Sequence, residues 1–181
     1  MNIKGIRIIF LPVLLLAGNC RQAPDSVRKG AAYNETVVIR EMRDTLFDKA
    51  VECIKRFEGW HSARHHPFIG YGHHLLPGER LTAEISVQQA DSLLRTDLLG
   101  LCAVFRRFGQ DSLLLAVLGY HVGAYRLLGY DSIPKSRLVR KLESGDRDIY
   151  TEYVSFRRYK EIIIPSIERR RKEEFRLLYL P

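Results

Sequence analysis

Residues 57–73 constrain the fold of this chain more than any other stretch, because they join a helical pattern to a glycine-rich turn. Glu58 ends the helical pattern, and Gly59 allows the backbone to leave the helix there. Gly70-Tyr71-Gly72-His73 then gives a turn in which the backbone can pass close to a ligand. The helical pattern itself is an apolar stripe at the spacing of one helix face, formed by Leu46, Phe47, Ala50, Val51, Ile54 and Phe57.

Glu58 is therefore expected where the end of an apolar helix meets a cleft. Burial at such a place raises the pKa of a carboxyl group and keeps a proton available for general-acid catalysis near neutral pH. The alternative interpretation is a glutamate at a helix end in open solvent, which has no catalytic role.

The rest of the pattern predicts an α+β fold with a small β-containing lobe and a mainly helical lobe. Pro67, Pro77 and nearby glycines favour short strands and turns in residues 60–81. Ser86 and Gln89 form a capping box that starts an apolar helix, and Gly109 can end it. Further helices are expected at residues 111–120, which are mostly apolar and so central, and at residues 136–144, 147–159 and 166–179.

The N-terminus has the pattern of a secretory signal. Lys4 and Arg7 precede an apolar run at residues 8–16 that is short for a membrane span but suits the core of a signal peptide. The run leads to Leu-Ala-Gly-Asn-Cys at residues 16–20, which is close to a bacterial lipoprotein cleavage site, although Asn19 is atypical before the cysteine. We predict a signal peptide at residues 1–19, a lipidated Cys20, a tether at residues 20–42 and one domain at residues 43–181. The alternative is a retained membrane anchor.

The charge of the chain agrees with an exported protein of the cell envelope or periplasm. Removal of residues 1–19 takes away Lys4 and Arg7 and no acid, so the formal net charge falls from +8 to +6. A basic surface favours polyanions such as nucleic acid, anionic lipid or the bacterial cell wall, and export makes nucleic acid the least suitable of these. After Cys20, only Cys53 and Cys102 remain, either as buried free thiols or as a disulfide.

Several segments, taken in order, resemble the phage-type lysozymes, glycoside hydrolase family 24. Glu58-Gly59 and the Gly70-Tyr71-Gly72-His73 turn resemble the family's active-site signature. His121 stands in a Gly-Tyr-His-Val-Gly segment that resembles the family's Phe-Asn-x-Gly turn, with histidine in the place of asparagine. The resemblance covers about residues 51–181, and its other segments are residues 81–82, 90–98, 135–146 and 165–171.

The resemblance implies a two-lobed, lysozyme-like fold and a muramidase that cleaves the β-1,4 bonds between N-acetylmuramic acid and N-acetylglucosamine in peptidoglycan. It implies that Glu58 is the general acid and that Gly70, Gly72 and His73 shape the cleft, with His73 in a structural role. It implies no cofactor, and we expect a monomer that binds glycan strands, does not bind nucleic acid and is attached to the membrane through its lipid.

The second catalytic role is vacant. Glycosidases usually use two carboxyl groups, and the family has an aspartate and then a threonine between the glutamate and the Gly-x-Gly-His turn. Residues 59–69 contain neither. The substrate could supply its own nucleophile, through its N-acetyl group or its 6-hydroxyl group, or the site could have lost catalysis and only bind glycan. Alternatively, other side chains could position a water or the substrate, and the candidates are His61, Ser62, His65, His66, Tyr71 and His121.

Two further clusters have more than one interpretation. Five of the six histidines fall in residues 61–74, but no cysteine or acid joins them at a familiar metal-ligand spacing, so we predict no metal. The basic run at residues 169–172 suits a solvated helix face, although helical spacing would turn at least one of its side chains inward. An arginine beside Glu58 would lower the pKa of that carboxyl and oppose the acid role.

The aromatic residues also have two interpretations. Trp60, Tyr71 and Tyr125 can either stack on sugar rings or pack in the core.

Overall fold

The computed structural model describes residues 29–181, within which Val38–Pro181 belong to one compact unit. The predicted signal peptide and Cys20 lie outside the described residues. In the described part, helices and short strands follow in the order α1 (Lys29–Glu58), β1 (Phe68–Ile69), β2 (His73–His74), α2 (Val87–Val104), α3 (Ser112–Val122), α4 (Ala124–Leu128), α5 (Arg137–Glu143), α6 (Tyr150–Val154), β3 (Arg158–Tyr159), β4 (Ile162–Ile163) and α7 (Pro165–Leu178).

Helix α1 carries Glu58 as its last residue, as its apolar pattern predicts. It begins at Lys29, earlier than the apolar stripe from Leu46 indicates. Ala50, Val51 and Ile54 on its inner face are buried. Gly59 ends the helix with a φ of +67°, and its N–H donates to the carbonyl of Lys55 at 3.0 Å. This left-handed cap fixes the place where Glu58 leaves the helix.

Helix α3 forms the centre of the domain, as its apolar sequence predicts. All residues from Leu114 to Gly119 are buried, and the helix packs against α2, α4 and α7. A helix that is apolar on every side must be surrounded by other elements. Its C-terminal turn, which carries Tyr120 and His121, is only partly covered and reaches the neighbourhood of Glu58.

Helix α2 begins with the predicted capping box but ends before the predicted position. The hydroxyl of Ser86 accepts from the N–H of Gln89, and the Gln89 side chain accepts from the N–H of Ser86. The helix ends at Val104 rather than Gly109 and is followed by a 3₁₀ turn over Arg106–Asp111. Gly109, with a φ of +57°, lies inside that turn, where it redirects the chain into α3.

The β-containing lobe is small and sits closely on α2. Strands β1 and β2 pair antiparallel, with Ile69 opposite His73. A methyl group added at Gly70 would lie 2.7 Å from the Cβ of Ala90, which is closer than carbon atoms can approach. Glycine at residue 70 therefore allows the lobe to contact the helix directly, at a φ of +56° that also favours glycine.

The predicted helix at residues 147–159 is wrong. Helix α6 covers only Tyr150–Val154, and a second hairpin, β3–β4, follows it with Tyr159 opposite Ile162. Three consecutive isoleucines before Pro165 explain the difference, because β-branched residues favour strands and a proline disfavours helix at the residue before it. Pro165 itself occupies the first turn of α7, where proline is well tolerated.

The turn of the β3–β4 hairpin is strained. Lys160 and Glu161, its two central residues, have φ values of +46° and +65°, which suit asparagine and glycine in such a turn. Glu161→Gly is expected to stabilise the protein by about 0.5–1 kcal/mol, because it removes the left-handed strain of a side-chain-bearing residue at some cost in chain entropy. Urea unfolding measures the change. The control is Glu84→Gly at an exposed irregular position without positive φ, and an equal gain there would contradict the explanation.

Cys53 and Cys102 are free thiols rather than a disulfide. Cys53 is buried and Cys102 half-buried, and burial raises the pKa of each thiol to about 11. Both stay protonated at neutral pH and behave as small apolar side chains. None of the helices in residues 29–181 is long and apolar enough to cross a membrane.

Candidate active site

Glu58 lies at the junction of the two lobes. Glu58 is the last residue of α1, which belongs to the helical lobe. The β1–β2 turn of the β-containing lobe approaches Glu58 at Gly72. A Cβ atom added at Gly72 would lie 3.8 Å from the Cγ of Glu58 and 3.6 Å from the Tyr120 ring. Tyr120 donates through its hydroxyl to the carbonyl of Tyr71 at 2.9 Å and so holds this turn in place. The predicted location of Glu58 beside the glycine turn agrees with this geometry.

Arg170 of α7 holds the carboxylate of Glu58. Its Nη1 donates to Glu58 Oε1 at 2.6 Å, and its Nη2 donates to the carbonyl of Phe57 at 2.8 Å. Both bonds come from one rigid guanidinium, so the last turn of α1 and its carboxylate are fixed together. On the other side, Nε2 of His121 lies 3.1 Å from the same Oε1 atom.

The expectation of a raised pKa at Glu58 is wrong. Burial raises the pKa, but the contacts with His121 and Arg170 outweigh burial and lower it to about 2. An inward arginine from the basic run at residues 169–172 is expected to oppose the acid role, and Arg170 is that arginine. Glu58 is therefore a carboxylate at neutral pH, and a proton must reach it before it can act as an acid.

The low pKa of Glu58 predicts a specific pH dependence of stability. The pKa falls from the usual 4.5 to about 2 on folding, so the stabilising contribution is complete above pH 4.5 and is lost as the pH falls towards 2. The shift corresponds to about 3 kcal/mol. The difference in unfolding free energy between wild type and Glu58→Gln should shrink by this amount between pH 7 and pH 2, as measured by urea unfolding. A difference that does not change with pH would contradict the ion pairing.

Behind His121 lies a buried charged cluster that we call the α7 cluster, formed by Arg171, Glu174 and Tyr153. Glu174 is completely buried and Arg171 is 2% exposed. Arg171 donates to Glu174 Oε2, and so does the hydroxyl of Tyr153 at 3.0 Å. The burial of the Tyr153 ring raises the pKa of its hydroxyl well above the usual value, so it remains a donor. Glu174 Oε1 lies 3.5 Å from Nδ1 of His121 and has no hydrogen bond of its own.

The basic run at residues 169–172 divides between the interior and the surface. Arg170 and Arg171 turn inward, to Glu58 and to the α7 cluster. Arg169 and Lys172 are exposed, and Lys172 pairs with Glu168 at 2.7 Å. The interpretation of a purely solvated face is therefore wrong for two of the four residues. Ile167 and Leu178 are apolar and share a helix face with Arg171, and this spacing is the signal that Arg171 turns inward.

The other candidate residues lie in the turn that follows Glu58. His61 is half-buried, Ser62 accepts a side-chain hydrogen bond from Arg64, and His65 and His66 are exposed. In the described part of the chain, no hydrogen bond, ion pair or ring contact connects these four residues to Glu58. The turn is tied to the β-containing lobe instead, because the N–H of His61 donates to the carbonyl of Gly70 at 2.7 Å. Within residues 29–181, no group of three or more potential ligands could hold a metal ion.

Two aromatic residues, Trp60 and Tyr71, pack against each other near Glu58 in the sequence. Trp60 is 41% exposed and meets the ring of Tyr71 edge to face, with the centroids 5.5 Å apart. Lys55 covers the Tyr71 ring at 5.4 Å. Trp60 is two residues from Glu58 in sequence, and its exposed indole could stack on a sugar ring.

His73 connects the β-containing lobe to the helical lobe. It is buried, with Nδ1 2.7 Å from Asp97 of α2 and Nε2 3.2 Å from Glu79. The hydrogen bond with Asp97 raises the pKa of His73 despite its burial. This geometry agrees with the structural role that the sequence analysis gives it. The sequence analysis did not identify Glu174 or Tyr153, because no spacing relates them to Glu58.

Comparison with known structures shows the fold. The chain is similar to the muramidase domain of SpmX from Asticaccaulis excentricus, with 23% sequence identity and a TM-score of 0.58 over 74% of this chain and 96% of that domain. No model of a known protein family matches the sequence. No curated protein matches it either. Residues 29–181 therefore have the predicted lysozyme-like α+β fold, with a small β-containing lobe beside a mainly helical one.

Proposed function

We propose that this protein is a lysozyme-type glycosidase that degrades peptidoglycan by cleaving the β-1,4 bonds between N-acetylmuramic acid and N-acetylglucosamine. One observation carries the proposal: the Glu58 carboxylate lies between the two lobes, against the Gly72 turn and half-buried. The likeness to a muramidase domain supports it. A site at the junction of two lobes can hold a sugar chain across it and bring one carboxyl group to a bridging oxygen.

Glu58 acts in this proposal as the group that gives a proton to the leaving oxygen. The carboxylate is held by Arg170 and approached by His121, so it is fixed in position but ionised. Glycan that enters the site excludes water, which weakens the preference for the ionised form. Residues 59–69 provide no second carboxylate. We therefore assign the nucleophile to the substrate or to a bound water.

The second candidate function is a peptidoglycan-binding protein without catalysis. The low pKa of Glu58 favours it, because a permanently ionised carboxylate gives no proton. Trp60, Tyr71 and the basic surface would serve binding equally well in both functions.

Mass spectrometry of peptidoglycan after incubation with the purified protein distinguishes these functions. New reducing ends indicate hydrolysis, and anhydro-muropeptides indicate attack by the 6-hydroxyl group of the substrate. Intact peptidoglycan together with co-sedimentation of the protein supports the binding function. Absence of both release and co-sedimentation would contradict both proposals.

We also propose that the protein is an exported lipoprotein attached through Cys20. The basis is the sequence of residues 1–20. Labelling of cells with a fatty-acid analogue should mark the wild type and not Cys20→Ser, while Cys53→Ser serves as a control that keeps the label. A labelled Cys20→Ser variant would contradict the anchor.

A further inference from the structure

Both ring nitrogens of His121 lie close to carboxylates of other helices, Nε2 to Glu58 of α1 and Nδ1 to Glu174 of α7. Its side chain is 3% exposed, and Nε2 lies 3.1 Å from Glu58 Oε1. Nδ1 lies 2.9 Å from the carbonyl oxygen of Val117. Burial of a polar group is unfavourable unless the group has partners. The burial of His121 beside the proposed acid therefore indicates that its contacts with neighbouring groups matter.

The positions of these atoms limit where protons can be. A carbonyl oxygen only accepts, and this 2.9 Å contact is shorter than the 3.4 Å contact with Arg171 Nη1, so we assign a hydrogen to Nδ1 that points towards Val117. A neutral ring would then have a lone pair on Nε2, facing the lone pairs of the Glu58 carboxylate at 3.1 Å. Two buried lone pairs at this distance repel each other. A single proton between Nε2 and Oε1 removes the repulsion, whichever of the two atoms it is bonded to.

The contact between Nε2 and Glu58 is close but not aligned. Nε2 has no partner in hydrogen-bonding geometry, so a proton transfer needs a change in the relative orientation of the two side chains. Catalytic hydrogen bonds are commonly poorly aligned before substrate binds.

The charges around the ring balance. Glu58 of α1 and Glu174 of α7 place two negative charges near the His121 ring, and Arg170 and Arg171 of α7 place two positive charges there, with Arg171 Nη1 3.4 Å from Nδ1. The formal charges of these four side chains cancel. Further titratable groups near these residues are Tyr120, on the same helix as His121, Tyr153 of α6, which donates to Glu174, and Cys53 of α1, whose thiol pKa is raised by burial and by the charge of Glu174.

We propose that His121 is a positioning residue that exchanges a proton with Glu58 and thereby provides the acid for the reaction. This inference rests on the proposed glycosidase function. The proton leaves Nε2 for Glu58 Oε1 and passes to the glycosidic oxygen as the bond from that oxygen to the anomeric carbon breaks. A water oxygen bonds to the anomeric carbon and releases one proton to solvent, from which the pair takes up a proton again.

The test is the pH profile of His121→Asn. An asparagine amide can still donate to the Val117 carbonyl but has no group at the position of Nε2 and cannot carry a proton at neutral pH. We expect kcat at pH 7 to fall about 10²-fold with KM unchanged, and the optimum to move to lower pH, where solvent protonates Glu58 directly. The control is His74→Asn, because His74 is exposed on β2, and its profile should equal that of the wild type. Wild-type kcat and pH profile in a folded His121→Asn variant would overturn the proposal.

Spectroscopy separates this inference from the proposed function. In ¹⁵N-histidine-labelled protein, the His121 ring signals are identified by their loss in His121→Asn. The Nε2 signal should change in Glu58→Gln, whereas the signals of His74 should not. An unchanged Nε2 signal would overturn the proton exchange even if peptidoglycan is cleaved. If wild-type protein releases no fragments, the glycosidase function fails, and the Nε2 signal still decides whether the two side chains share a proton.

Discussion

Glu58→Gln is expected to lower the release of soluble fragments from purified peptidoglycan by about 10²–10⁴-fold. Glutamine has the same shape and can still accept a hydrogen bond from Arg170, but it cannot give a proton to a leaving oxygen. The loss should appear in kcat, because the missing interaction belongs to the transition state. Quantitative mass spectrometry of released muropeptides measures it.

The matched control for this prediction is Glu52→Gln. Glu52 lies on the same helix, is exposed and pairs with Lys55 at 2.8 Å, so its loss should leave activity unchanged. Binding can be followed separately, because Trp60 is the single tryptophan of the chain and is two residues from Glu58 in sequence. Its fluorescence should change equally when wild type and Glu58→Gln bind chito-oligosaccharides. Equal fragment release by wild type and Glu58→Gln would exclude Glu58 as the acid.

The location of Glu58 could be predicted from sequence because the signals for it are local. Apolar spacing over residues 46–57 defines the helix face, and Gly59 marks the helix end within one residue of the carboxylate. The central helix and the Ser86–Gln89 capping box were also predicted correctly, for the same reason. Each of these features depends on residues that are fewer than about 15 positions apart in the sequence.

The electrostatics of the site could not be predicted because they depend on residues distant in sequence. Arg170 is 112 residues from Glu58, and its inward direction depends on how α7 packs, which the run of basic residues does not reveal. The C-terminal hairpin was missed for a different reason. Tyr153 and Phe156 continue an apolar pattern that suits a helix. The chain forms a strand at Arg158 and Tyr159 instead, because these residues pair with Ile163 and Ile162.

Glu174→Ala is expected to destabilise the protein by about 3–5 kcal/mol, because it leaves Arg171 as a buried charge without its carboxylate. Glu174 is completely buried and Arg171 is 2% exposed. The variant also removes the acceptor of the Tyr153 hydroxyl, whose hydrogen bond is 3.0 Å long. Urea unfolding at pH 7 measures the change in unfolding free energy.

The control is Glu173→Ala, on the neighbouring residue. Glu173 pairs with Arg56 and Arg176, whose side chains are 58% and 67% exposed, so its loss should cost less than about 1 kcal/mol. The double variant Arg171→Met with Glu174→Leu should recover most of the stability, because it leaves no unpaired buried charge. It should nevertheless alter the pH profile of activity, since His121 loses both charged neighbours on its Nδ1 side. If Glu174→Ala is as stable as Glu173→Ala, the buried pair does not stabilise α7 against the core. The position of Arg170 beside Glu58 would then depend on the packing of the other residues of α7.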